Sequence, residues 1–172
     1  MDLEQSKYSD LIGQIGGLLQ KGREQVAQSV NTILVQNYWL IGRHIVEYEQ
    51  GGKEKADYGS QLLDQLAKDL SERYGKGFSR SNVFQIRQFY VRFSKIQTLS
   101  RQFESVENQL KLSWSHYIEI LKADSDLEIG FYAKQAKKEN WSVRELKRQM
   151  KSMLFHRLAL SKDKKGVLEL SE

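Results

Sequence analysis

Apolar residues recur at intervals of three and four along most of this chain, the period of α-helices that each bury one face. Residues 3–20 set Leu11, Ile15 and Leu18 on one line with Ile12 and Leu19 beside it, although Gly13, Gly16 and Gly17 each cost about 1 kcal/mol against Ala in a helix interior. A longer helix is predicted from about Arg23 to Glu49, where Val26, Val30, Ile33, Leu34, Tyr38, Ile41 and Ile45 keep the period. Together they read as an N-terminal helical hairpin over 3–49 that either covers a core or pairs with a second copy of the chain.

Gly51-Gly52-Lys53-Glu54-Lys55 is a polar break, and beyond it residues 58–94 read as a helix-turn-helix. Its first helix carries Leu62, Leu66 and Leu70 in a stripe and stops at Tyr74-Gly75-Lys76-Gly77-Phe78, where the glycines supply left-handed backbone. Ser79 then offers an N-cap to the second helix. That helix clusters Val83, Ile86, Phe89, Tyr90 and Phe93 on one side and Ser81, Gln85, Gln88, Arg92 and Lys95 on another. Such an arc of hydrogen-bonding side chains suits a helix lying in a DNA major groove. A solvated structural helix also has a polar face, but it usually mixes its signs, and no acidic residue lies between Lys76 and Lys95.

Residues 96–112 fit neither period well. Ile96-Gln97-Thr98-Leu99 and Gln109-Leu110-Lys111-Leu112 alternate, so a small β wing and a broken helix are both open readings. A C-terminal helical lobe over 113–158 follows: a short helix to Leu121, a second behind a Ser125/Glu128 capping box, and a third behind a Ser142/Glu145 capping box. The third is expected to bury Val143, Leu146, Met150, Met153, Leu154 and Leu158 and to expose Arg144, Lys147, Arg148 and Lys151. Residues 1–158 thus form one helical domain, and 159–172 read as a tail or a linker to a further C-terminal domain.

Composition sharpens the fold class. The 172 residues include no proline and no cysteine, which favours an all-α fold and removes disulfides, thiolate metal sites and cysteine nucleophiles together. Asp2, Glu4 and Asp10 stand where a signal peptide needs a basic start, and no eighteen apolar residues run together, so a soluble cytoplasmic protein is expected, with no membrane partner. The net charge of +5 is unevenly spread. Residues 1–75 carry 8 Lys and Arg against 11 Asp and Glu, net −3, and residues 76–172 carry 19 against 11, net +8. A basic half beginning at the turn suits a polyanion, DNA first with RNA not excluded. Within it, Ser81, Gln85, Gln88 and Arg92 are the base-reading candidates, and Lys76, Arg80, Lys95, Arg144, Lys147, Arg148 and Lys151 the phosphate-contact candidates.

No catalytic or metal site is expected. Trp39, His44 and Glu47 lack a second ligand at metal spacing. Asp126 with Glu145 and Lys147 imitates the carboxylates and lysine of a metal-dependent nuclease, but here the Glu caps a helix and the Lys turns to another face. Gly75-Lys76-Gly77 is too short for a nucleotide loop. No cofactor is implied.

Taken together, Tyr38-Trp39-x-Ile41-Gly42, Tyr58-Gly59-x-x-Leu62-Leu63, Gly77-Phe78-Ser79, Arg87-x-Phe89-Tyr90, Leu112-Ser113-Trp114-Ser115-His116-Tyr117 and Trp141-Ser142-Val143-Arg144-Glu145-Leu146 resemble the N-terminal domain of the YhcG family, in the right order from about residue 10 to 165. The resemblance implies a helical DNA-binding domain, joined in that bacterial family to a C-terminal nuclease domain of the PD-(D/E)XK type. It implies for this chain a targeting role without catalysis. The alternative is a protein-interaction or dimerisation domain whose working surface is the N-terminal hairpin.

Overall fold

A computed structural model of the chain describes the backbone of residues 3–51, 57–99 and 112–160, with side chains for 6–51, 61–95 and 112–160. The fold is all-α: the described residues form helices α1 (Leu3–Gly51), α2 (Asp57–Tyr74), α3 (Arg80–Leu99), α4 (Trp114–Ile120), α5 (Asp126–Lys138), α6 (Val143–Lys151) and α7 (Leu154–Leu160), with no strand among them.

The N-terminal hairpin expected over 3–49 is instead one 49-residue helix. The glycines lower helix propensity without stopping the chain, because none adopts the left-handed backbone that ends a helix, and proline is absent. Of the 96–112 segment, residues 96–99 complete α3, and 100–111 lie outside the described residues. The helix expected to run through Leu158 breaks after Ser152, where Met153 takes a φ of 54° and stays exposed.

The turn between α2 and α3 forms as its residues dictate. Gly75 and Gly77 adopt φ of 80° and 127°, the Gly75 N–H closes α2 on the Ser71 carbonyl at 3.0 Å, and Ser79 Oγ caps α3 by accepting from the Asn82 N–H at 3.3 Å. Asn82 then fastens the turn to the body. Its Nδ2 donates to the Gly77 carbonyl, and its Oδ1 accepts from Trp114 Nε1 at 2.8 Å.

At the centre α3 crosses the second half of α1. Gly42 makes the crossing close: a Cβ there would stand 2.5 Å from the Ile86 carbonyl oxygen and 2.8 Å from Tyr90 Cβ. Phe89, fully buried, meets Trp39, Phe93, Trp114 and Tyr117 with ring centroids 4.8–5.6 Å apart, so one aromatic cluster joins α1, α3 and α4. Ile129, Phe131, Tyr132 and Ala136 of α5 and Leu146 of α6 extend the core.

Candidate nucleic-acid interface

The arc expected to read bases divides once α3 is packed. Ser81 and Lys95 are exposed, Gln85 and Gln88 half-buried. Arg92 is spent on structure. Its Nε donates to Asp126 Oδ1 at 2.9 Å, Nη1 to the Ala123 carbonyl at 2.9 Å and Nη2 to the Asp124 carbonyl at 3.4 Å, so the guanidinium holds the turn between α4 and α5 against α3. Arg87 is similarly committed, its Nε lying 2.8 and 2.9 Å from the two oxygens of Glu49. The open side of α3 therefore runs through Arg80, Ser81, Phe84, Gln88 and Lys95, and Phe84, nearly half exposed, was not singled out by the polar pattern. Of the flanking cations, Arg80 pairs with Asp64 of α2, whereas Lys76 and Lys95 have no ion pair among the described residues.

Helix α6 is organised differently. Ser142 Oγ caps it by accepting from the Glu145 N–H at 3.2 Å, but Glu145 does not reach back to close the capping box. Its carboxylate instead accepts from Gln149 at 2.6 Å and Arg148 at 2.8 Å, and these bonds, Gln149's first, hold its pKa below the usual glutamate range. The Ser125/Glu128 box is likewise half formed: Ser125 Oγ caps α5, while the Glu128 carboxylate takes the Asp124 N–H.

Between α4 and α6 lies a cleft of about 910 Å³ lined by Lys122, Arg144, Lys147, Arg148 and Lys151 against Glu119 and Glu145, five cations to two carboxylates. His116 sets its geometry by bridging Ser113 Oγ at 2.6 Å and the Trp141 carbonyl at 2.9 Å, tying α4 to the residue before the α6 cap. Glu119 takes Lys122 at 2.7 Å and Lys147 at 3.7 Å, and Arg148 is held by Glu145. Arg144 and Lys151 have no ion pair among the described residues. Lys122 is the cation the sequence pattern missed, because it belongs to α4's end and joins α6 only in three dimensions. It also adjoins Ala123, whose carbonyl Arg92 holds, so the residue next to this edge of the cleft is tied to α3.

The nuclease-like triplet does not come together. Asp126 pairs with Arg92, Glu145 with Arg148, and Lys147 approaches Glu119. No group of three or more His, Asp or Glu that could hold a metal occurs among the described residues. No described helix is long and apolar enough to cross a membrane.

An all-helical scaffold with a glycine turn, a half-open polar helix and a cationic cleft is the class of molecule these features define. The chain belongs to the DUF1016 N-terminal domain family, whose model matches residues 14–157. It is similar to an Escherichia coli (strain K12) protein named "Putative nuclease YhcG", 34% identical over 185 aligned positions, which take in 94% of this chain and 49% of that protein. The chain thus spans about half the length of the curated relative it matches. No solved structure matches it.

Proposed function

We propose that this chain is a DNA-binding domain that targets a nuclease carried on the same longer protein, and that it acts in the cytoplasm. The observation that carries the reading is the α4–α6 cleft, where five cations outnumber two carboxylates and Arg144 and Lys151 stand uncommitted. Polyanion backbones are bound by such surfaces through release of condensed counterions. α2 and α3 act as the helix-turn-helix, with Ser81, Gln85 and Gln88 facing base edges and Lys76, Arg80 and Lys95 flanking phosphates, while Arg92 holds α3 in place. The chain itself supplies no catalysis and needs no cofactor. The similarity to a protein named as a nuclease supports a nucleic-acid substrate for the whole.

The test is a fluorescence-anisotropy titration of the chain against duplex, branched and single-stranded DNA and duplex RNA at several salt concentrations. Binding across about six phosphates gives a slope of log affinity on log salt near −5. An absence of binding, or a slope near zero, overturns the reading. A second reading, an interaction domain working through its N-terminal region, is favoured by one specific observation, the exposed apolar side of α1.

A further inference from the structure

The two halves of α1 face opposite ways. Val35, Tyr38, Trp39, Gly42 and Ile45 look into the core, whereas Leu11, Ile15, Leu18, Val26 and Ile33 are 44–72% exposed. At about 100° per residue the exposed set falls within roughly 80° of arc, and its centre lies on the side of the helix opposite the buried set. A continuous helix cannot turn that stripe toward its own body. Among the described residues nothing covers it: a Cβ built on Gly13, Gly16, Gly17 or Gly22 meets no atom within 4 Å.

We infer that residues 8–34 of α1 are a self-association arm, and that the occupant of the stripe is the same stripe of a second copy, running antiparallel. Area is the first argument. The five side chains of the stripe present on the order of 500 Å² per chain, and the five other large apolar side chains left exposed between Tyr8 and Leu34 bring the arm to on the order of 1,000 Å², against roughly 800 Å² per partner in a standard stable interface. Patches on monomeric proteins rarely exceed a few hundred Å². The arm is about 40 Å long, enough for a helix pair without help from the body.

Charge sets the direction. The first ten residues hold Asp2, Glu4 and Asp10 against Lys7, while residues 76–172 carry a net +8. A parallel pair would lay acidic tip on acidic tip and basic body beside basic body. In an antiparallel pair with Leu11 opposite Ile33, residues 2–10 lie beside residues 34–42 of the partner's α1, a stretch without a charged residue, and the acid-on-acid contact is avoided. Gly22, within the stripe, then lies next to the two-fold axis, where two backbones approach most closely.

The test is sedimentation equilibrium of the whole chain, with no nucleic acid present, so that its outcome is independent of the DNA-binding reading. A dimer at micromolar concentration is expected, and Leu18→Asp should raise the dimer dissociation constant at least 100-fold while the circular dichroism spectrum stays helical. Ile15→Gln, a milder change, should raise it about tenfold and guards against a misfolded Leu18 variant. Because the chain has no cysteine, introduced thiols report direction. Leu11→Cys chains mixed with Ile33→Cys chains should form disulfide-linked dimers on mild oxidation, and Leu11→Cys chains alone should not. A monomer at 100 μM, a dimer indifferent to Leu18→Asp, or cross-linking of Leu11→Cys chains to each other would each overturn the inference.

Discussion

Helices α3 and α6 both carry a run of cations, yet the chain uses them in opposite ways. α3 is enclosed by α1, α2 and α5, four of its described side chains are buried, and two of its arginines anchor neighbouring elements. α6 buries Leu146 alone, and its charges line an open cleft. A charged side chain on a helix within the core is recruited to satisfy carbonyls and carboxylates that packing brings near it. The same side chain on a peripheral helix stays available to a ligand. Basic residues are therefore a weak sign of binding by themselves, and how many sides of their helix are packed decides what they do.

The largest way to sharpen this contrast is to remove the pivot of α3. Phe89→Ala empties the aromatic cluster and should cost about 3–5 kcal/mol in denaturant unfolding, whereas no single change on the exposed face of α6 should approach that. Arg92→Ala comes next. It strands two carbonyls and Asp126, a loss of about 1.5–3 kcal/mol for hydrogen bonds to a charged group. Affinity for DNA, corrected for the folded fraction, should then be unchanged. If Arg92→Ala instead leaves stability intact and abolishes discrimination between sequences, α3 is less committed to structure than its hydrogen bonds indicate.

On the proposed reading, Gln88→Ala should cost about 1–3 kcal/mol on a preferred site and much less on random DNA, since an amide can pair with a base edge. A folded Gln88→Ala variant that binds every sequence as tightly as the unaltered chain does would leave Gln88 with no reading role. Arg144→Ala combined with Lys151→Ala should shift unfolding by no more than about 0.5 kcal/mol, as usual for exposed positions. The pair should weaken binding to all sequences alike and flatten the salt slope by about 2, since each cation removed leaves one phosphate with its counterion.

How far the sequence revealed this arrangement depended on distance along the chain. The end of α2, the start of α3, the glycine turn and the Ser79, Ser125 and Ser142 caps were legible because each is decided by residues within four positions. The continuity of α1 was not: a helix without a stop signal continues, and spaced glycines imitate a boundary they do not make. Arg92 could not be assigned from its helix, since its partners lie 31 to 34 residues away. Lys122 was missed for the same reason. Met153 holds its left-handed turn with no glycine or asparagine to announce it. In both capping boxes the serine behaved as its spacing required, while the glutamate found a nearer or stronger partner than the distant amide.

The smallest effect concerns Glu145, the acid lying inside the cationic cleft. Its carboxyl is held below the usual glutamate range by Gln149 and then Arg148, so its contribution to folding is complete above that range and fades as pH falls toward the depressed value. At neutral pH the carboxylate is charged and occupies Arg148. Glu145→Gln removes the charge, and Arg148 becomes as available as Arg144 and Lys151. The expected result is a gain in DNA affinity of about twofold to fivefold at low salt, the size of one exposed ion pair, which disappears as screening shortens the reach of the added charge. Lowering the pH of the unaltered chain through the same range should give a gain in the same direction, and the chain carrying Glu145→Gln should not share it. An unchanged affinity in both experiments would mean that Arg148 faces away from the ligand, and the cleft's binding side would then narrow to Arg144, Lys147 and Lys151.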